Sequence, residues 1–181
     1  MRQFASRREP KPLDSARLEG LALAYAARFA TSSAKLEAYL KRKLRERGWA
    51  GELDPPVQRL VEKFVTAGFV DDAAYARMKT GGLLRRGFGR RRIDQALGAA
   101  GISDELRSAT IGDGAAHREA ALVLARRKAF GPFSRAPLDR PRREKQIAAI
   151  LRAGHSLDTA RRIVEAESEA ALEQWAEAGE E

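Results

Sequence analysis

The segment Ile93-Asp94-Gln95-Ala96-Leu97-Gly98-Ala99-Ala100-Gly101-Ile102 decides the fold, because the chain writes the same ending twice more. It does so at Leu40-Lys41-Arg42-Lys43-Leu44-Arg45-Glu46-Arg47-Gly48-Trp49 and at Gln146-Ile147-Ala148-Ala149-Ile150-Leu151-Arg152-Ala153-Gly154-His155. In each, an aliphatic residue (Leu44, Leu97 or Ile150) stands four before a glycine, and the three glycines are 53 residues apart both times. An aliphatic side chain one turn before glycine buries the last turn of a helix. The glycine then ends that helix in a left-handed conformation that strains other residues. Regularity of this kind points to duplication of one supersecondary unit.

Working outward, each unit has room for three helices. In the first, Leu18–Ala30 forms an Ala/Leu-rich helix. Ser33 caps a second to Arg47, with Leu36, Leu40 and Leu44 along one stripe. Asp54 caps a third that accepts Pro55 and Pro56 in its first turn and buries Leu60, Val61, Phe64 and Val65 before Gly68. In the second unit, Asp71 is the N-cap and Val70 reaches Tyr75 as a hydrophobic staple. A middle helix follows over Gly89–Ala100, then a third from Ser103, where Asp104 and Glu105 suit the positive end. The third unit reads Ala115–Phe130, a Pro/Gly-rich loop to Pro141, Arg142–Ala153, and a helix from Ser156 to about Glu169. No segment alternates like a strand. The expected fold is all-α: three tandem three-helix repeats of period 53, forming an elongated curved solenoid. The expected bounds are a basic disordered segment 1–16, repeats over 17–68, 69–112 and 113–168, and an acidic tail 169–181.

The 181 residues carry 34 Lys plus Arg against 25 Asp plus Glu, a net charge of +9. Seven glutamates and no cation fall in 163–181, which leaves +16 on residues 1–162. A body so basic repels itself unless an anionic partner relieves it, and nucleic acid is the commonest one. There is no Cys, which excludes disulfides and thiolate chemistry, and two histidines, His117 and His155, do not make a metal cluster. Neither a phosphate-binding loop nor a zinc or nucleophile motif occurs, so no enzyme, catalytic residue, metal or cofactor is expected. The longest apolar stretch is too short for a bilayer and the N-terminus has no signal core. The expectation is a cytoplasmic, monomeric protein with no membrane partner.

Segment 73–93 holds Arg77, Lys79, Arg85, Arg86, Arg90, Arg91 and Arg92 and no acidic residue. Three arginines in the first turn of a helix oppose its macrodipole, each at a cost of a few tenths of a kcal/mol. An anion docked on the amides after Gly87-Phe88-Gly89 would satisfy both amides and arginines. Lys41, Arg42 and Arg45 share a polar face on the equivalent helix of the first repeat. In a solenoid such surfaces merge on the concave side. The contact candidates are therefore Lys41, Arg42, Arg45, Arg85, Arg86, Arg90, Arg91 and Arg92.

Competing structural readings fit other features better. Adjacent Asp71 and Asp72 point about 100° apart on a helix and suit capping, not a metal. Arg126, Arg127 and Lys128 sit at a helix C-terminus, where cations are favourable for stability alone. Trp49, Phe69, Tyr75 and Phe88 read as packing residues rather than base-stacking platforms, and His155 as a half-buried one. A helix-turn-helix reading of 95–103 is weaker than self-packing of a repeat.

Gly68-Phe69-Val70-Asp71-Asp72 with Tyr75-Ala76, then Gly87-Phe88-Gly89-Arg90-Arg91-Arg92-Ile93 and Leu97 with Gly101-Ile102, resembles the central signature of the RecX family of regulatory proteins. Ser33, Leu36, Glu37, Leu40, Leu44 and Gly48 extend the match upstream, and Leu151-Arg152-Ala153-Gly154 downstream. The resemblance implies a curved array of three-helix repeats that binds RecA filaments on single-stranded DNA. It implies inhibition of ATP hydrolysis, strand exchange and SOS co-protease activity. Two departures stand out. Arg152-Ala153-Gly154-His155-Ser156 replaces a more basic, aromatic turn, and Gly81-Gly82 interrupts a helix, which suggests a flexible or closely packed point. The alternative is a general nucleic-acid-binding repeat protein, on single- or double-stranded DNA, with no recombinase partner.

Overall fold

The computed structural model describes residues 11–112 and 114–178. The chain divides into two units, Met1–Asp72 and Ala73–Glu181.

The first unit holds α1 (Ser15–Arg28), α2 (Ser33–Arg47) and α3 (Val57–Thr66). Their apolar stripes meet in one core of Leu18, Ala22, Leu36, Leu40, Leu60, Val61 and Phe64 among others. Leu13, fully buried, joins it from before α1. Its amide donates to the Gly48 carbonyl at 3.0 Å, and its carbonyl accepts from the Ala50 amide at 2.8 Å. Lys11, whose carbonyl accepts from the Arg47 guanidinium, and Leu13 are thus tied to the far end of α2, and the rest of the expected N-terminal segment, 1–10, lies outside the described residues.

Two expected caps move. Ser32, not Ser33, receives the Lys35 amide and starts α2. Asp54 caps nothing: α3 begins at Val57 with Pro56 before it and no side-chain cap. The reason is steric. Pro55 itself precedes a proline and is pushed out of the helical region, so it cannot be the first helical residue after an Asp54 cap, and α3 starts beyond Pro56.

The second unit contains α4 (Asp72–Leu84, whose first residue belongs to the first unit), α5 (Arg90–Gly98), α6 (Asp104–Ile111), α7 (Ala115–Lys128), α8 (Arg140–Arg152), α9 (Leu157–Glu165) and α10 (Glu169–Glu177). A 3-10 turn, Gly131–Phe133, opens the loop before α8. Helices α4–α6 enclose Tyr75, Ala76, Leu83, Ile93, Leu97, Ile102 and Ile111. Helices α7–α10 enclose a separate core including Leu124, Ile150, Ile163 and Leu172. One core per repeat is what duplication of a three-helix unit demands. Every regular element among the described residues is helical, bar the single bridge of Leu13 with Trp49. The all-α tandem-repeat architecture is the one expected.

The glycines behave as their spacing requires, with one variation. Gly101 (φ 73°) and Gly154 (φ 96°) close Schellman turns in which the amide after glycine donates to the aliphatic residue four before it. Ile102 reaches Leu97 at 3.1 Å and His155 reaches Ile150 at 3.4 Å. Gly48 also has positive φ, 76°, but ψ of 172° sends the chain out along Leu13 instead. Gly81 and Gly82 do not interrupt α4, and a side chain on Gly82 would meet nothing within 4 Å. The helix is unbroken there, and only on Gly81 would a Cβ come close to a neighbour, the Arg85 guanidinium at 3.2 Å.

Residues 169–177, expected as the start of an acidic tail, form α10. Leu172 and Ala176 are buried in the third repeat's core, and the Arg126 guanidinium pairs with Glu173. Part of the expected tail is thus a cap on the last repeat. Among the described residues no helix is long and apolar enough to cross a membrane.

Candidate nucleic-acid and partner interface

The candidate cations fall into two groups of different character. Lys41, Arg42 and Arg45 lie exposed on α2, where the heptad-like apolar stripe leaves them no other side. Lys41 Nζ stands 2.5 Å from Glu37 Oε1, and Arg42 Nε 3.6 Å from Glu46 Oε1. The Arg42 guanidinium also lies 5.5 Å from the Tyr39 ring centre. The hydrogen bond from Lys43, at 2.6 Å, with the charges of Arg42 and Arg45, holds the Glu46 carboxyl below its ordinary value. Lys41, Arg42 and Lys43 thus have carboxylates beside them, but six cations against two carboxylates leave the helix positive.

The second group lies in a stretch, 77–92, that holds no carboxylate of its own. Arg85 and Arg86 follow α4, and Arg90, Arg91 and Arg92 form the first turn of α5; all five are exposed. The Arg86 guanidinium lies 5.3 Å from the Phe88 ring centre, and Arg90 donates to the Gly112 carbonyl at 2.9 Å. Among the described residues, no carboxylate pairs with Arg77, Lys79, Arg85, Arg86, Arg91 or Arg92. Elsewhere such pairs are common, as where Arg107 spans Asp94 at 2.8 Å and Asp104 at 3.0 Å to clamp α6 to α5.

The amides at the start of α5 correct the expectation of an anion site. The Gly89 amide donates to the Ala153 carbonyl at 2.9 Å, and the Arg91 amide to the Gly154 carbonyl at 3.1 Å. The C-terminus of α8 therefore abuts the N-terminus of α5. Its carbonyl end supplies the negative partial charge that the three arginines and the macrodipole call for. Glycine is needed on both sides of this seam. A Cβ on Gly89 would lie 2.5 Å from the Gly154 carbonyl group, and one on Gly154 2.4 Å from the Arg92 amide nitrogen. Gly87 likewise rests against the backbone of Leu124.

His155 completes the seam and is fully rather than half buried. Its Nε2 lies 3.0 Å from the Gly87 carbonyl, so Nε2 carries the proton and donates. Burial lowers its pKa, and the charge of His117 adds to this; the bond to Gly87 opposes it.

Residues that sequence reading missed act at the first unit. The Asp72 carboxylate accepts from the Ser33 amide at 2.7 Å and from the Ser33 hydroxyl at 2.6 Å, so it caps α2 from 39 residues away. The N-termini of both equivalent helices, α2 and α5, are thus satisfied by residues of the following repeat. Among the aromatics, Tyr75 is buried and Phe88 packs between two cores, whereas Phe69 is 58% exposed beside Phe64. Arg126, besides pairing with Glu173, lies 5.8 Å from the Phe133 ring centre, a structural use. No cluster of three or more metal-ligating side chains occurs among the described residues.

A family model described as the second three-helix domain of RecX matches residues 71–111, the span of α4–α6. The chain is 32% identical over 167 residues to a regulatory protein RecX of Myxococcus xanthus, covering 87% of this chain and 89% of that one. It is 32% identical over 139 residues to a regulatory protein RecX of Mycobacterium sp. (strain JLS), covering 75% and 68%. The crystal structure of RecX from Lactobacillus salivarius superposes with a TM-score of 0.65 over 83% of this chain and 94% of that one, at 19% identity.

Proposed function

Because the chain belongs to the RecX family of regulatory proteins, we propose that it is a non-enzymatic regulator of a RecA recombinase. It binds RecA filaments on single-stranded DNA and inhibits their ATPase, strand exchange and SOS co-protease activity. On the same reading it works as a cytoplasmic monomer without a cofactor, and its basic surfaces serve the filament groove. The observation that carries the reading is the unbalanced cation cluster over 77–92, set on a repeat whose glycine seam fixes α5. Exposed arginines without carboxylate partners give up little on meeting phosphate. Each contact releases condensed counterions, so affinity falls steeply with salt. Arg85, Arg86, Arg91 and Arg92 are the leading phosphate contacts, with Arg90 held by Gly112. Lys41, Arg42 and Arg45 contribute a weaker field.

The test is the filament ATPase, measured with and without the protein at a salt concentration that abolishes its binding to bare DNA. Persistent inhibition is the expected result. Complete loss of inhibition under those conditions would instead support the second reading, a general nucleic-acid-binding repeat.

A further inference from the structure

The first unit carries a cleft of about 1020 Å³. Its floor is apolar, made by Leu44, Trp49, Pro55 and Val57; Lys41 and Arg45 of α2 and Arg59 of α3 bring positive charge. Glu52, Leu53 and Asp54 also line it. The loop is held rather than loose. Trp49 Nε1 donates to the Leu53 carbonyl at 2.6 Å, and its ring lies so close to Gly51 that a Cβ there would fall 2.6–2.8 Å from ring atoms. On this pinned loop Leu53 is 84% exposed, the most exposed of the large apolar side chains among the described residues.

A fixed, solvent-facing leucine beside an aromatic floor is costly in water and gains when covered. The charges say what covers it. Glu52 and Asp54 repel a phosphodiester chain, and Lys41 is already engaged by Glu37 at 2.5 Å. Arg45 and Arg59 form no ion pair with a described residue, and the first turn of α3, which lines the cleft, has no side-chain cap. That combination suits an apolar side chain against Leu53 with a single carboxylate paired with Arg45 or Arg59 rather than set against Glu52 and Asp54, which would repel it as they repel phosphate. Such an interface has an apolar centre and a charged rim. We propose that this cleft docks an extended segment of a protein partner in which an apolar side chain is flanked by an acidic one. The first unit then recognises protein, while the cations of 77–92 hold phosphate.

The inference rests on the regulator reading in one respect, that the recombinase of the filament supplies the segment. The experiment uses the full chain with Leu53→Ser, Leu53→Met and the double substitution Arg91→Gln/Arg92→Gln. Half-inhibition of the filament ATPase is compared with affinity for a fluorescent oligo-dT, and melting temperature reports folding. Leu53→Ser is expected to raise the half-inhibiting concentration roughly tenfold, a loss typical of an interface anchor, with melting temperature and oligo-dT affinity unchanged. Leu53→Met retains inhibition, and the arginine double substitution weakens oligo-dT binding. Wild-type inhibition by Leu53→Ser overturns the proposal, as does a parallel loss of oligo-dT binding, which would mark the cleft as a nucleic-acid site. If the unsubstituted protein does not inhibit the filament at all, the regulator reading itself fails and carries this one with it.

Discussion

A methyl group added at Gly82 meets nothing within 4 Å, whereas one added at Gly89 lands 2.5 Å from the backbone of Gly154. Gly82→Ala is therefore expected to stabilise the protein by about 0.5–1 kcal/mol, through helix propensity and a less free unfolded chain. Gly89→Ala, overpacking a seam with no side chain to move aside, costs about 1–3 kcal/mol. Urea titrations of the two variants read the contrast directly. His155 adds a pH dependence of known sign. Its folded pKa lies below the ordinary 6.5, so beneath that value the unfolded chain binds more protons. Stability is complete above about pH 6.5 and falls as the pH drops through the depressed folded value. Unfolding at a series of pH values should show this slope, and His155→Phe should flatten it. The sequence exposed the three glycines by their spacing and placed His155 as a packing residue. It could not show that His155 and Gly87 meet, because a 68-residue separation leaves no periodic trace.

Helix ends show where local reading stops. Ser103, Ser156 and Ser168 each accept an amide three residues on, and the first two were legible because serine follows the glycine by two in both repeats. At Ser32-Ser33 the local signal allows either residue. The choice is made by Asp72, whose carboxylate takes both the amide and the hydroxyl of Ser33. Asp72→Ala should cost about 1–2 kcal/mol, the range for a lost cap with charge-assisted bonds. Ser33→Ala removes one of the two bonds and should cost less. A double-substitution cycle, measured by thermal unfolding, is expected to show coupling between the two sites. On α2 the pairing of Lys41 with Glu37 was open to sequence reading from its four-residue step; that Glu46 serves both Arg42 and Lys43 emerged from the geometry.

For the molecule as a whole, charge counting found a basic body and an acidic end but did not show that part of that end is folded into the last repeat. Leu172 and Ala176 belong to the core of the third repeat, beside the pair of Arg126 with Glu173. Leu172→Ala should cost about 2–5 kcal/mol, as for other fully buried leucines. Removing residues 169–181 should lower the melting temperature, not merely unmask charge. The pattern of glutamates hid this because only two apolar side chains of α10 are buried, too few to mark an amphipathic helix by periodicity alone. Binding to nucleic acid gives a second whole-chain observable. If about five cations contact phosphate, log K against log salt on duplex DNA has a slope near −4, and a shallower one on single strands. Arg91→Gln/Arg92→Gln should make that slope shallower by about two contacts.

The join between α5 and α8 consists of main-chain atoms meeting main-chain atoms, with glycine on either side. Side chains add to it at two points, the His155 imidazole on Gly87 and the Phe88 ring packed against both cores. A chimera that grafts another protein's terminal module after α6 should assemble here, provided its middle helix ends in glycine and a donor replaces the imidazole.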